Sequence, residues 1–171
     1  RYLDGLASTV SLRVNSKSVK YRYGQIQIKS VKAPIIGHRM EVTNTVRIHD
    51  EYLYGISEVP SSWPTQALIA QAIASRSYVL SKLGVPRVAC DCNVYNSISD
   101  QSFVGFSKEI EPIYGKLWKE AVQASSTSET TGQVITVNGS PITAYFSSSS
   151  GGQTETSVNA WGQERSFTTS V

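Results

Sequence analysis

One carboxylate in this chain, Glu58, has surroundings that suit acid catalysis. It is followed by Pro60 and Pro64, which restrict the backbone on its C-terminal side, and by Trp63, which supplies apolar surface. A carboxyl group beside apolar surface tends to keep its proton and can donate it to a leaving group. The alternative is a solvated glutamate in a turn, the usual position of Glu in proteins. The pattern predicts a candidate general acid at Glu58.

Other catalytic groups have no such motif. A Ser-His-Asp triad would have to use His38 or His49, which both lie in the strand-rich N-terminal part. The chain contains neither a phosphate-binding P-loop nor a dinucleotide-binding fingerprint. A two-carboxylate glycosidase would need a partner for Glu58. The loop-borne options are Asp91, Asp100 and Glu155. No spacing selects one of them, so the sequence does not predict that type of enzyme.

Cys90 and Cys92 are the only cysteines and are separated by one residue. They are the candidate metal ligands, but a structural zinc site uses about four ligands and no His or third Cys lies nearby in sequence. A disulfide and two reduced thiols are the alternatives, and together they are favoured over a metal site. An even cysteine number in an exported chain is compatible with oxidation.

The composition is that of a folded globule. Of the 171 residues, 40% are hydrophobic and 17% are charged, and no apolar run approaches the roughly 18 residues of a membrane span. The net charge of +3, with basic residues concentrated before residue 50, could help hold an anionic polymer but is too small to indicate nucleic acid. Because the chain begins at Arg1 rather than Met, we interpret it as a processed or excised segment. Any signal or anchor is then expected outside it.

Glu58 lies between a predicted β-rich layer and a predicted long helix. Bursts of alternation at 10–14 and 21–29 are typical of half-buried strands. Residues 67–80 are small and apolar around most of a helix, which predicts a buried central helix. Its expected boundaries are an N-cap at Ser61 or Ser62, Pro64 in the first turn, and a stop at Gly84 and Pro86.

Within that helix Gln71 and Arg76 are long and polar, so each needs a partner or opens into a cleft. A second helix is predicted from about Gly115 to Ser125. Its expected inner face is Leu117, Trp118, Ala121 and Ala124.

The predicted C-terminal part begins with a β-hairpin. Strands at 133–137 and 141–146 flank Asn138-Gly139, a dipeptide that favours a two-residue turn. The following Ser/Gly loop offers hydroxyl and backbone N–H groups, although such runs are more often flexible connectors. Together the elements predict an α+β fold in a single domain, with a β-rich part at 1–50 and a motif-bearing part at 51–171.

Several motifs occur in order between residues 45 and 171. They are Tyr52-Leu53-Tyr54-Gly55-Ile56-Ser57-Glu58-Val59-Pro60, Trp63-Pro64, Ala70-Gln71-Ala72-Ile73-Ala74, Arg76-Ser77-Tyr78, Gly132-Gln133-Val134-Ile135, Ala144-Tyr145-Phe146 and Ser148-Ser149-Ser150-Gly151-Gly152-Gln153-Thr154-Glu155. In this combination the chain closely resembles the SpoIID/LytB family, the stage II sporulation protein D type of bacterial cell-wall proteins.

The resemblance implies a lytic transglycosylase that cleaves the MurNAc-β-1,4-GlcNAc bond of peptidoglycan and forms a 1,6-anhydro ring. Glu58 matches the family's proposed catalytic acid, which then acts as base toward the muramoyl C6 hydroxyl. Because an internal hydroxyl replaces water, one carboxyl can suffice. Arg76 and Tyr145 match residues near the cleft. The implied substrate-binding loop is Ser148, Ser149, Ser150, Gly151, Gly152 and Thr154.

The family also includes amidase enhancers, so the alternative is a non-catalytic glycan-binding or amidase-activating module; a structural domain of a larger wall protein is a third interpretation. Some members bind zinc through a His/Cys cluster, but here only Cys90 and Cys92 occupy that region, so we predict no firmly bound zinc and no other cofactor. The implied partners are peptidoglycan glycan strands and a cell-wall amidase, without nucleic acid or a membrane span. The implied location is extracytoplasmic, in the cell wall or secreted. Glu58 is expected to lie near Arg76 or the 148–154 loop.

Overall fold

The fold consists of β-hairpins followed by packed helices and a short late hairpin. The computed structural model describes residues 9–14, 16–33, 35 and 37–171. The strands are β1 (Val10–Val14), β2 (Lys17–Tyr21), β3 (Gln25–Ala33), β4 (Gly37–Thr45), β5 (Thr136–Val137) and β6 (Ser140–Pro141). The helices are α1 (Thr65–Ser81), α2 (Tyr114–Ala124) and α3 (Ser157–Trp161), and a π-helical turn covers Ile48–Tyr52. Helices and strands are not regularly interleaved, which confirms the α+β class.

The N-terminal strands form two separate antiparallel hairpins. Strand β1 pairs with β2, and β3 pairs with β4 from Gln25 opposite Thr45 to Ala33 opposite Gly37. The predicted continuous strand at 21–29 is wrong, because the chain turns at Gly24 with φ +75°. A Cβ atom at Gly24 would lie 1.9 Å from the Thr45 carbonyl oxygen, so only glycine fits this approach.

The predicted central helix is confirmed, but its start differs. Helix α1 begins at Thr65 with Pro64 as its N-cap residue and no side-chain cap. Ser61 does not cap the helix because its hydroxyl donates to Glu111 Oε2 at 3.0 Å. The helix ends at Ser81, before Gly84, whose φ is +150°. Its buried positions cover several sides of the helix, as its composition predicted: Leu68, Gln71, Ala72, Ser75, Arg76, Ser77 and Val79.

The core lies where α1 and α2 meet the segment that leads to Glu58. Its buried apolar residues include Leu53, Ile56, Leu68, Ala72, Trp118, Ala121 and Val122. The Trp118 indole N–H donates to the Leu53 carbonyl oxygen at 2.9 Å, which ties α2 to this segment. On α2, Trp118 and Ala121 face the core as predicted, but Leu117 is 39% exposed and Ala124 is also exposed. Val122 is buried instead, so the predicted inner face is partly wrong.

The Asn-Gly turn forms as predicted, between much shorter strands. Asn138 and Gly139 have φ values of +50° and +78°, the combination that a two-residue hairpin turn requires. The flanking segment turns to helix α1 for hydrogen bonds: the Ile135 N–H donates to Ser77 Oγ at 2.8 Å. Strands β5 and β6 are therefore only two residues long.

Across the described part of the chain, no helix combines the length and the apolar character needed to cross a membrane.

Candidate functional site

The segment before Glu58 is fixed by pairing with residues 102–104. The Ser57 N–H donates to the Ser102 carbonyl oxygen at 2.9 Å, and the Val104 N–H donates to the Gly55 carbonyl oxygen at 2.8 Å. Gly55 permits this approach, since a Cβ atom there would lie 2.3 Å from the Phe103 ring. The glycine of the motif therefore serves close packing beneath the Glu58 loop.

The Glu58 carboxyl group is half-buried and engaged at one oxygen. Its Oε1 accepts a hydrogen bond from the Ser102 backbone N–H. Among the residues that the structure describes, Oε2 has no hydrogen-bond partner. This arrangement fixes the orientation of the group and leaves one oxygen to give or take a proton.

The loop after Glu58 is held by a buried lysine. Lys108 is 5% exposed, and its Nζ donates to the Val59 carbonyl oxygen at 3.2 Å. The same Nζ lies 3.6 Å from Glu111 Oε2, which also accepts from Ser61. Burial lowers the pKa of Lys108, and the neighbouring Glu111 carboxylate opposes that shift. Val59 and Ser61 flank Pro60, so these contacts stabilise the conformation of the loop.

Three consecutive residues, Asp100 to Ser102, gather side chains from separate parts of the chain. The Tyr78 hydroxyl donates to Asp100 Oδ1 at 2.9 Å, and the Tyr52 hydroxyl donates to Gln101 Oε1 at 2.8 Å. Ser102 binds Glu58. Burial, reinforced by the nearby Asp100 carboxylate, raises the pKa of Tyr52, which keeps its hydroxyl protonated as a donor.

Asp100 is a carboxylate close to this site, but its oxygens are occupied. Its side chain is 1% exposed, and it accepts from both terminal nitrogens of Arg87 at 2.7 and 2.9 Å. It also accepts from the Tyr95 N–H at 2.8 Å. Burial alone would raise the pKa of Asp100, but the hydrogen bonds from Arg87, the Tyr95 N–H and Tyr78 outweigh it and lower that pKa. Asp100 is thus an ionised structural anchor rather than a free second carboxylate.

The other two loop carboxylates considered from the sequence are also engaged. Asp91 forms an ion pair with Lys29 at 2.7 Å. Glu155 accepts from the Thr156 N–H and from Asn159 Nδ2, both at 2.8 Å. Neither has a described contact with Glu58.

Arg76 is a buried structural residue in its contacts. It is 3% exposed, and its Nη1 donates to the carbonyl oxygens of Ser125 at 3.2 Å and Gln133 at 2.9 Å. Its Nη2 donates to Ser125 Oγ at 2.9 Å. A Cβ atom on Gly132 would lie 2.6 Å from the guanidinium carbon, so this glycine makes room for the side chain. Arg76 joins α1 to the end of α2 and to the segment before β5.

Tyr145 and the Ser/Gly loop lie at the surface. Tyr145 is 40% exposed, and its ring centre lies 4.3 Å from that of Trp161. Residues 148–154 are all exposed, with Gly151 N–H donating to Ser149 Oγ at 3.3 Å and Thr154 N–H donating to the Val171 carbonyl oxygen at 2.8 Å.

No hydrogen bond or ion pair among the described residues joins Glu58 to Arg76 or to the 148–154 loop. The expected proximity of these groups therefore stays a prediction.

Cys90 and Cys92 form a disulfide bond, one of the alternatives left open by the sequence. The bonded loop lies against the β3–β4 hairpin, where Thr43 Oγ1 donates to the Cys90 carbonyl oxygen at 3.3 Å. Thiols in a disulfide cannot act as thiolate ligands. In the described ranges, His, Cys, Asp and Glu residues form no cluster of three or more that could hold a metal ion.

The stage II sporulation protein (SpoIID) family model matches residues 37–137. The chain belongs to the SpoIID family. The match includes Glu58, Arg76 and the 100–102 segment, whereas Tyr145 and the Ser/Gly loop lie outside it.

Two relatives come from Bacillus subtilis (strain 168). The chain is 34% identical over 105 residues to a protein named amidase enhancer, a match that covers 61% of this chain and 12% of the relative. It is 29% identical over 119 residues to stage II sporulation protein D, covering 66% of this chain and 34% of the relative. The chain therefore spans about a third or less of the length of these relatives.

Sequence reasoning did not identify Gln101, Ser102 or Lys108 as parts of this site. They lie in a loop-rich stretch without periodicity, and their partners are more than 40 residues away. Trp161 was also not singled out, although a large aromatic residue close after a polar loop was a usable signal.

Proposed function

We propose that this chain is a peptidoglycan lytic transglycosylase module that cleaves the MurNAc-β-1,4-GlcNAc bond and forms a 1,6-anhydroMurNAc end. The observation that carries the proposal is the Glu58 carboxyl group, fixed at Oε1 by the Ser102 N–H and free at Oε2 among the described contacts. Its occupied neighbour Asp100 supports chemistry that needs only one carboxyl group.

The reaction then uses Glu58 twice. The protonated carboxyl group gives its proton to the glycosidic oxygen as the bond from that oxygen to the muramoyl C1 breaks. The C6 hydroxyl oxygen forms a new bond to C1, and its proton passes to the Glu58 carboxylate. Glu58 is thereby regenerated, and no water is consumed. The Ser102 N–H stabilises the charge that Glu58 carries between the two transfers.

The 34% identity to a protein named amidase enhancer favours a second candidate. In that function the chain would bind glycan without cleaving it, and would stimulate a separate cell-wall amidase. Both candidates place the chain outside the cytoplasm, in the cell wall or secreted, with glycan strands as partner. Both also operate without firmly bound zinc, so about one equivalent of zinc in purified protein would overturn that part of the proposal.

Product analysis separates the two candidates. Purified protein would be incubated with glycan strands, either intact or stripped of stem peptides, and the products examined by mass spectrometry. Anhydromuramoyl ends that disappear in Glu58→Gln support the transglycosylase. Unchanged glycan that is nevertheless retained on the protein supports the binding module. If neither cleavage nor retention occurs, both candidates are wrong.

A further inference from the structure

Trp161 is a large apolar side chain that the fold does not bury. It is 60% exposed, and Tyr145 beside it is 40% exposed. Their ring centres are 4.3 Å apart and their planes are inclined by 31°, so the two rings form one aromatic surface. Paired exposed aromatic rings commonly mark a binding surface, because packing in the core would otherwise be favoured. We call this pair the aromatic platform.

The helix that carries Trp161 is fixed at both ends. At its start, the Thr156 side chain accepts from the Asn159 N–H at 3.3 Å. At its end, Gly162 adopts φ +71° and its N–H donates to the Val158 carbonyl oxygen at 2.7 Å. The Thr168 hydroxyl also donates to Ser157 Oγ at 2.6 Å. A surface held in this way loses little conformational freedom when it binds a ligand.

Tyr145 is linked to helix α1 close to Tyr78. Two residues before Tyr145, Thr143 Oγ1 lies 3.0 Å from Ser81 Oγ, and the Ser81 hydroxyl in turn donates to the Tyr78 carbonyl oxygen at 2.7 Å. The Tyr78 hydroxyl binds Asp100, two residues before the Ser102 N–H that holds Glu58. A short series of contacts therefore connects the aromatic platform to the Glu58 site.

Exposure increases along the aromatic side chains of this series. Tyr52, which binds Gln101 next to the Glu58 contact, is 6% exposed, Tyr78 is half-buried, and the platform residues are exposed. A polymer that enters the Glu58 site would find the exposed platform farther along the same series. A small ligand confined to Glu58 would not need it.

The surroundings of the platform favour a sugar over a protein partner. The adjacent loop 148–154 is exposed and consists mainly of Ser and Gly, so it offers hydroxyl and N–H groups rather than an apolar rim. A sugar ring has one face of C–H groups that can lie on an aromatic face, and an edge of hydroxyl groups that require hydrogen-bond partners. The platform and the loop together match both requirements.

We propose that Tyr145 and Trp161 bind a sugar ring of a β-1,4-linked glycan strand at a distance from the bond that reaches Glu58. The proposal takes its polymer from the proposed function but assigns a binding surface that is separate from the Glu58 chemistry. Trp161 supplies the outer stacking face, and Tyr145 supplies the inner face and a hydroxyl group.

Binding would be measured with soluble, peptide-free glycan strands in the Glu58→Gln background, so that cleavage does not interfere. Adding Trp161→Ala or Tyr145→Ala is expected to weaken the affinity about tenfold, the size of effect typical of losing one aromatic stack. Trp161→Phe keeps a ring and should retain most of the affinity. Tyr114→Ala is the matched control, since Tyr114 is also 40% exposed but begins helix α2. Thermal unfolding would verify that each variant is folded.

The outcomes separate this proposal from the proposed function. Equal affinity in Trp161→Ala and Tyr114→Ala would overturn the platform. So would a Trp161→Ala variant that binds glycan normally but loses self-association in sedimentation or binding to a purified amidase. If wild-type protein binds glycan through Trp161 but releases no anhydromuramoyl ends, the platform stands and the transglycosylase is wrong. If wild-type protein cleaves glycan and all variants bind equally, the reverse holds.

Discussion

Glu58 and Arg76 are both polar residues that the motifs assigned to one cleft, yet their surroundings differ. Arg76 is 3% exposed and gives its terminal nitrogens to Ser125 and Gln133. Glu58 is half-buried, with one described hydrogen bond and one oxygen left free among the described contacts. Position in a shared motif therefore does not imply a shared role. Arg76 organises the packing of elements, while Glu58 keeps the capacity for chemistry.

The reason for the difference is the cost of burial. A guanidinium group in the interior must satisfy its donors, and carbonyl oxygens at a helix end are unpaired acceptors that suit it. Burial lowers the pKa of Arg76, as expected for a charged group withdrawn from water. Glu58 instead lies on a loop at the edge of the core, where a backbone N–H can orient it without occupying both oxygens.

The largest expected effect comes from removing the acid. Glu58→Gln keeps the shape and an acceptor for the Ser102 N–H but cannot exchange a proton. Glycan cleavage should fall about 10³-fold, within the range for loss of a general acid and base. The melting temperature should change by no more than about 2 °C. A variant that retains more than a tenth of the activity would show that Glu58 is not the acid.

The second test is Arg76→Met. It leaves acceptors of Ser125 and Gln133 without their donor, so the free energy of unfolding should fall by about 3 kcal/mol in denaturant titrations. Activity per folded molecule should stay within a few-fold of wild type. Arg165→Met is the control, because Arg165 is exposed and should leave stability unchanged within about 0.5 kcal/mol. Normal stability with lost glycan affinity in Arg76→Met would instead place Arg76 at the substrate.

A third test uses the Asp100–Arg87 pair beneath the Glu58 site. Asp100→Asn should lower the free energy of unfolding by about 2 kcal/mol at pH 7, because it removes charge-assisted hydrogen bonds and leaves Arg87 unpaired. The folded-state pKa of Asp100 is lowered, so its contribution is present above the ordinary value of 3.8 and is lost as the pH falls through the folded value. The difference between wild type and Asp100→Asn should therefore shrink below about pH 4. A difference that grows with acidity would contradict the structure.

The smallest expected effect concerns the loop support. Lys108→Met removes the donor to Val59 and should lower activity several-fold and the free energy of unfolding by about 1 kcal/mol. Lys108→Arg keeps the charge and should recover part of the activity. Lys116→Met is the matched control, since the Lys116 side chain is 83% exposed on α2. Equal effects of Lys108→Met and Lys116→Met would remove Lys108 from the account.

Local signals predicted the local parts of the fold. The apolar run at 67–80 predicted α1, and Asn138-Gly139 predicted the turn, because each depends on neighbouring residues alone. The N-cap of α1 was wrong because Ser61 prefers a distant acceptor, Glu111. Hydrogen bonds that join residues far apart in sequence leave no periodic signal in one chain.

The candidate site shows the same division. Proline and glycine spacing around Glu58 indicated a stiff loop, but nothing indicated that Ser102 would orient its carboxyl group. The burial of Arg76 followed from its helix, which left a partner and a cleft as equal alternatives; contacts with Ser125 and Gln133 now satisfy the partner alternative.

The central claim is that Glu58 acts without a second carboxylate because the muramoyl C6 hydroxyl, and not water, attacks C1. The most direct test is cleavage of peptide-free glycan strands in water enriched in heavy oxygen, followed by mass spectrometry of the new muramoyl ends. The account predicts anhydro ends that lack one water and carry no heavy oxygen. Muramoyl ends that carry one heavy oxygen would contradict it, because water would then be the nucleophile.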